Sequence, residues 1–214
     1  MNNKIEFTRA LLDWYTSNGR IFPWRKNHLS LYRVLVTETL LWKTRAETVS
    51  EFYWKFFHIY PNRDALLKSS MENLVKVIEP LGLQNRRARM LKCIAVNLYK
   101  QKGLDEGSLK AIFCVGQYIA RATLAIYYEK QVIPIDSNIK RLLERVFDFY
   151  IRNIRKISKM EEAFLDKLTT EDHKQLVWAM IDYSSVICTR ENPKCNGCVL
   201  KKCCSNYAKA INAT

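Results

Sequence analysis

Cys188, Cys195, Cys198 and Cys204 follow the spacing C-x6-C-x2-C-x5-C. Four thiolates so close in sequence can enclose one compact metal centre, either a tetrahedral zinc ion or a cubane iron–sulfur cluster. Zinc sites usually present two close pairs joined by a longer arm, and here a single C-x2-C pair occurs. The wide outer gaps suit ligands spread over the corners of a larger cluster. Cys203 adjoins Cys204 and could stand in for it. Seven cysteines is an odd number, and Met1-Asn2-Asn3-Lys4 opens no apolar signal segment. A disulfide framework is therefore disfavoured, and a reduced, cytoplasmic setting with metal ligation is expected. Cys93 and Cys114 stand alone and read as packing residues.

Other residues of chemical interest are carboxylates and cations. Asp136, in Pro134-Ile135-Asp136-Ser137-Asn138, precedes an apolar face of Ile139, Leu142 and Leu143 and reads as a helix N-cap. Glu38 lies between Val36 and Leu40, and periodicity alone makes it an exposed helix carboxylate. Ser108 to Tyr118 reads as a short apolar helix, a tight turn at Gly116, and a second helix running to about Tyr128. Backbone N–H groups at the start of that second helix, around Val115, Gly116 and Gln117, would form a seat for a phosphate. Arg86, Arg87, Arg89 and Lys92 share one segment, and Lys140, Arg141 and Arg145 another. Lys194, Lys201 and Lys202 sit within the cysteine loop.

The elements that must position these groups are helical. Leu74, Val77, Ile78 and Leu81 keep a three-and-four spacing after Ser69-x-x-Glu72, a capping-box pattern. Leu91, Ile94 and Leu98 repeat the spacing in a segment that Gly103 should end. Ile139, Leu142, Leu143 and Val146 share a face, as do Leu176, Val177, Met180 and Ile181. Strict alternation is almost absent, so the expected fold is all-α, with roughly ten helices. The 214 residues, 48% hydrophobic, suffice for one large domain or two small lobes. No run is long enough to span a bilayer, which excludes a membrane-embedded class. Thirty-five Lys and Arg against 21 Asp and Glu leave a formal charge of +14, which points to nucleic acid as partner.

Taken together, the cysteine loop, the hairpin, Asp136-x-Asn138-x-x-Arg141, Val36 to Thr44 and Gly82 to Ala88 resemble the helix–hairpin–helix DNA glycosylases. The relevant branch is the endonuclease III and adenine glycosylase family. The resemblance runs from about Phe22 to Tyr207. It departs at the hairpin, where the family's L-P-G-V-G-x-x-T-A is Ile112-Phe113-Cys114-Val115-Gly116-Gln117-Tyr118-Ile119-Ala120. Bifunctional members carry a lysine at the position of Tyr118, whereas archaeal thymine–DNA mismatch glycosylases carry tyrosine. The resemblance implies a two-lobed fold, with a six-helix domain over 29–131 and a second lobe of 1–28 plus 132–214. It implies a [4Fe–4S] cluster on Cys188, Cys195, Cys198 and Cys204. It makes Asp136 catalytic, with Tyr118 facing it across a cleft and Glu38 in the base pocket. Trp42 and Lys43 would approach the unpaired partner base, while Arg86, Lys140, Lys201 and Lys202 would grip phosphates. The implied activity is that of a monomeric, monofunctional glycosylase acting on double-stranded DNA. It would excise thymine or uracil opposite guanine, in the nucleoid of a prokaryotic cell. The alternatives are an adenine glycosylase, an endonuclease III-like lyase and a non-catalytic DNA-binding module.

Overall fold

A computed structural model describes residues 2–25, 29–98, 106–112 and 115–212. Among these, all regular structure is helical, in twelve α-helices with short 3-10 turns between them. The contacts divide the chain into two units, one of 1–20 with 128–214 and one of 21–127.

The second unit holds α2 (Leu31–Leu41), α3 (Ala46–Ile59), α4 (Arg63–Lys68), α5 (Met71–Ile78), α6 (Gln84–Asn97), α7 (Glu106–Ala111) and α8 (Gln117–Ile126). Its core joins Val36 and Leu40 of α2 to Phe52, Tyr53, Phe56 and Phe57 of α3, and to Leu74, Ile78 and Leu91. Each such apolar side chain contributes about 2 kcal/mol on burial, enough to fix which face of each short helix turns inward. The capping pattern falls one residue later than the sequence suggests. Ser70 is the N-cap of α5, its Oγ accepting from Asn73 N at 3.1 Å. Ser69 instead closes α4, donating from Oγ to Leu66 O at 2.8 Å. Two serines in tandem divide the work because one helix must end before the next begins. Lys92, grouped above with the cations of its segment, caps α4 as well, donating to Leu66 O (2.8 Å), Leu67 O (2.9 Å) and Ser69 O. Gly103, the expected stop signal for α6, lies outside the described residues, and the helix ends at Asn97.

The first unit holds α1 (Asn2–Asn18), α9 (Ser137–Phe147), α10 (Lys159–Asp166), α11 (His173–Val186) and α12 (Ser205–Asn212). The predicted face of α9 is buried as a block: Ile139, Leu142, Leu143 and Val146. It packs with Phe7 and Leu11 of α1 and with Leu176, Ala179, Met180 and Tyr183 of α11. Arg20 fastens the end of the α1 segment, bonding the buried Asp182 through its backbone N (2.9 Å) and Nε (2.7 Å).

Candidate active site and thiol centre

Asp136 stands where the buried segment Ile133-Pro134-Ile135 turns into α9. It is the N-cap, and its Oδ1 accepts from Asn138 N (2.9 Å) and Ile139 N (2.7 Å). Oδ2 receives a longer contact from Asn138 Nδ2, at 3.4 Å. Asn138 Oδ1 in turn accepts from Arg141 Nη1 (2.9 Å). Arg141 also donates from Nε to Cys188 O (3.0 Å) and from Nη2 to Ser184 O (2.7 Å). The D-x-N-x-x-R run is thus one hydrogen-bonded unit, anchoring the carboxylate to the carbonyls that close α11. Burial pushes the Asp136 carboxyl above its ordinary range, opposed by the α9 amides, Arg141 and Asn138.

Beyond α11 the chain wraps through two 3-10 turns, Cys195–Gly197 and Lys201–Cys203. Cys188, Cys195, Cys198 and Cys204 line one cavity, together with apolar Leu142, Val146, Ile187 and Leu200 and cationic Arg145, Lys194 and Lys201. Cys203 belongs elsewhere: it is buried in the core, and its thiol donates to Leu200 O at 3.3 Å. Burial raises that thiol to about 11. Of the two adjacent cysteines, Cys204 is the one that lines the cavity. Arg145 crosses the seat, donating from Nη1 to Cys188 Sγ (3.5 Å) and Thr189 O (2.6 Å) and from Nη2 to Arg190 O (3.0 Å). The Cys204 thiol donates back to Arg145 O at 3.4 Å. Burial and the neighbouring thiols raise Cys195 and Cys204 as well. Among the described residues, no three Cys, His, Asp or Glu side chains converge on a point that would suit a single metal ion. The donor set surrounds a cavity, and its chemistry, four soft sulfurs in an apolar shell edged with cations, fits an iron–sulfur cluster.

In the other unit, Gly116 precedes α8 with φ −74° and no side-chain cap on the helix amides. A Cβ there would meet nothing within 4 Å, so internal packing does not require the glycine. What its absence of side chain leaves open is the outer approach to the first amides of α8. Val115 is buried, and its N–H is already given to Ile112 O at 2.9 Å, while Gln117 and Tyr118 open the first turn of α8. Both side chains are half-buried. Phe113 and Cys114, where the hairpin departs from the family pattern, lie outside the described residues. Glu38 is only 6% exposed on α2, contrary to the solvated position its spacing suggested, because α2 packs its polar edge against neighbouring helices, α8 among them.

Trp42 and Lys43 form the turn after α2, with Lys43 at φ 54°. Arg86 lies over the Trp42 ring at 4.7 Å and the Lys43 ammonium at 5.4 Å. Beneath them Arg87 is fully buried and donates to Thr39 O (3.3 Å), Trp42 O (2.7 Å), Thr44 Oγ1 (2.7 Å), Leu81 O (3.1 Å) and Gly82 O. One guanidinium thereby ties the Trp42 turn to the Gly82 turn. At Gly82, φ is +70°, a conformation that side chains resist. Leu83 follows at φ 49° and stands 48% exposed. The sequence pattern gives Leu83 no role of its own and sets Arg87 simply among the cations of its segment. The available signal was an apolar residue directly after a turn glycine in a basic segment. The ammonium of Lys140 is engaged by Glu144 and Ile151 O and lies 4.2 Å from the Tyr150 ring centroid. Lys201 and Lys202 are exposed on the cysteine loop.

These features define an all-α protein of the endonuclease III-like fold, with an acid at a helix N-terminus and a four-cysteine loop. Residues 36–170 match the HhH-GPD superfamily of base excision DNA repair proteins, and the chain belongs to that family. It is 31% identical over 208 residues to a thymine/uracil-DNA glycosylase of Methanothermobacter thermautotrophicus, covering 95% of this chain and 94% of that one. It is also 31% identical to an adenine DNA glycosylase of Buchnera aphidicola subsp. Baizongia pistaciae, covering 95% of this chain but 59% of the relative. A solved thermostable thymine-DNA glycosylase superimposes with TM-score 0.82 at 28% identity, over 97% of this chain and 98% of that chain.

Proposed function

We propose that the protein is a monofunctional DNA N-glycosylase that flips thymine or uracil out of a mispair with guanine and hydrolyses its glycosidic bond. The observation that carries this reading is Tyr118 at the first turn of α8, where lyase relatives need an amine. A phenol forms no imine with the sugar, so strand cleavage through a Schiff base has no nucleophile there. The near-full-length likeness to thymine/uracil-DNA glycosylases supports the same substrate class.

In this reading Asp136, ionised, stabilises positive charge at C1′ as the bond breaks, or orients the attacking water. Its Oδ2, with only the 3.4 Å contact to Asn138 among the described residues, is the oxygen left for that role. Tyr118 packs on the flipped nucleotide, and Glu38 hydrogen-bonds the base edge. A mispaired base leaves the stack at lower cost than a well-paired one, which gives part of the selectivity. The amides of Gly116 and Gln117, where the turn enters α8, hold a phosphate. Trp42, Lys43 and Leu83 fill the gap beside the orphaned guanine, with Arg86 pinning Trp42. Lys201, Lys202 and the stem of Lys140 line the path of the backbone. Cys188, Cys195, Cys198 and Cys204 would hold a [4Fe–4S] cluster, whose binding would order the loop that carries Lys201 and Lys202. The protein acts as a monomer on double-stranded DNA in a reducing, nucleoid-containing compartment.

The test is release of free base from duplexes carrying G:T, G:U, A:oxoguanine or thymine glycol. Thymine or uracil release without strand nicking is expected. Adenine release alone would replace this reading with the adenine glycosylase one, and no release from any duplex would leave a binding module. Replacing Tyr118 by Lys is expected to add lyase activity, detected as a borohydride-trapped protein–DNA adduct.

A further inference from the structure

The thiol cavity receives a hydrogen bond that the cysteine spacing does not foreshadow. Tyr183 sits in the last turns of α11, with its ring fully buried. It packs edge-on against Trp14, with ring centroids 4.9 Å apart and planes at 86°. The hydroxyl oxygen accepts from Val199 N at 3.0 Å, and the O–H donates to Cys198 Sγ at 3.0 Å. With the amide held on the oxygen and the ring locked by packing, the hydroxyl hydrogen is directed at the sulfur.

We infer that Tyr183 raises the reduction potential of the cluster by donating its hydroxyl hydrogen to the Cys198 thiolate. The inference rests on the iron–sulfur reading given above. A donor aimed at a ligand sulfur withdraws electron density from the cluster and so favours the electron-richer of its two oxidation levels. The bond is dry, because the ring is sealed in the core, and a low local dielectric strengthens it. It is also charge-assisted once the sulfur is a metal-bound thiolate. Tyr183 touches neither substrate nor iron and acts through Cys198, so it is a positioning residue. Arg145 donates comparably to Cys188, but at 3.5 Å and from a guanidinium shared with Thr189 O and Arg190 O. Tyr183 is therefore the shorter and more exclusive of these two donors.

The experiment compares the midpoint potential of the cluster's one-electron couple, by voltammetry at an electrode, in holo wild type, Tyr183→Phe and Tyr207→Phe. Iron and acid-labile sulfide are measured in each. Tyr207 lines the same cavity, yet among the described residues its hydroxyl makes no bond to a thiol. The expected result is a more negative midpoint in Tyr183→Phe and an unchanged one in Tyr207→Phe. Site-specific 3-fluorotyrosine at 183 keeps the packing, has a more acidic hydroxyl, and should move the midpoint the opposite way. Equal midpoints in wild type, Tyr183→Phe and the fluorinated protein would overturn the inference and leave the cluster in place. A wild-type protein without iron would remove the cluster itself, a separate result.

Discussion

Asp136 carries two duties whose electrostatic demands conflict. As a helix cap it gains from two amide donors, and as a partly buried carboxylate it loses solvation. Desolvation is the larger effect, so its carboxyl titrates above the 3.8 of an ordinary aspartate. Base release should therefore fall as pH drops through that raised value, with an acid limb nearer neutrality than a solvated aspartate would give. Asp136→Asn should cut turnover by on the order of 100- to 1,000-fold or more while sparing DNA affinity, measured by single-turnover base release and anisotropy. The stability sign is the reverse. Between 3.8 and the raised value the folded chain holds more proton than the unfolded one, so stability declines as pH rises through that window. Asparagine caps about as well as aspartate. The variant should consequently melt at or above wild type at neutral pH, in a thermal scan. The capping role was legible from Asp136 standing before an apolar face. Its tie to α11 through Asn138 and Arg141 was not, because Ser184 and Cys188 lie more than forty residues away.

At the scale of elements, the cysteine loop and the two turns gripped by Arg87 invite separate tests. Cys204→Ser should lose iron, whereas Cys203→Ser should retain it, since only the former lines the cavity. Iron content and visible absorbance of the purified proteins decide between them. Removing Arg87 leaves several buried carbonyls without a donor. Arg87→Met should lower stability by about 3 kcal/mol in urea, at 1–3 kcal/mol per orphaned group with partial relaxation. Leu83→Ala should change stability by less than about 0.5 kcal/mol, being exposed, yet weaken binding to a G:T duplex. Periodicity exposed α9 to view because four apolar residues share one stripe. It was silent on Lys92 and Arg87, whose partners are mostly main-chain oxygens. Such contacts leave no pattern in side-chain types, and a buried arginine is spelled like a surface one.

Across the whole molecule, the formal +14 makes a quantitative claim about DNA. Each phosphate neutralised releases counterion, so affinity should fall linearly on a log–log plot against salt. Changing Lys201 and Lys202 together to Ala should reduce the magnitude of that slope by about 2, at roughly 0.9 per contact. A similar loss is expected from removing, by chelation, the cluster proposed for the loop that presents them, and fluorescence anisotropy over a salt series reads both. The all-helical class, the thiol centre and the basic balance were visible in the chain because each is a matter of composition or spacing. Which cations face outward was not, since Arg141, Arg145 and Lys140 all turn inward to carbonyls or thiols. Their positive charge serves architecture first.

Arg87 grips carbonyl oxygens almost exclusively, with the Thr44 hydroxyl the one exception. The side chains of Trp42, Lys43 and Leu83 are therefore not part of the fastening. Positions 42, 43 and 83 can be exchanged as interchangeable tips on a fixed handle. Randomising those three while holding Arg87 and Thr44 constant should yield folded proteins that differ chiefly in which opposing base they tolerate.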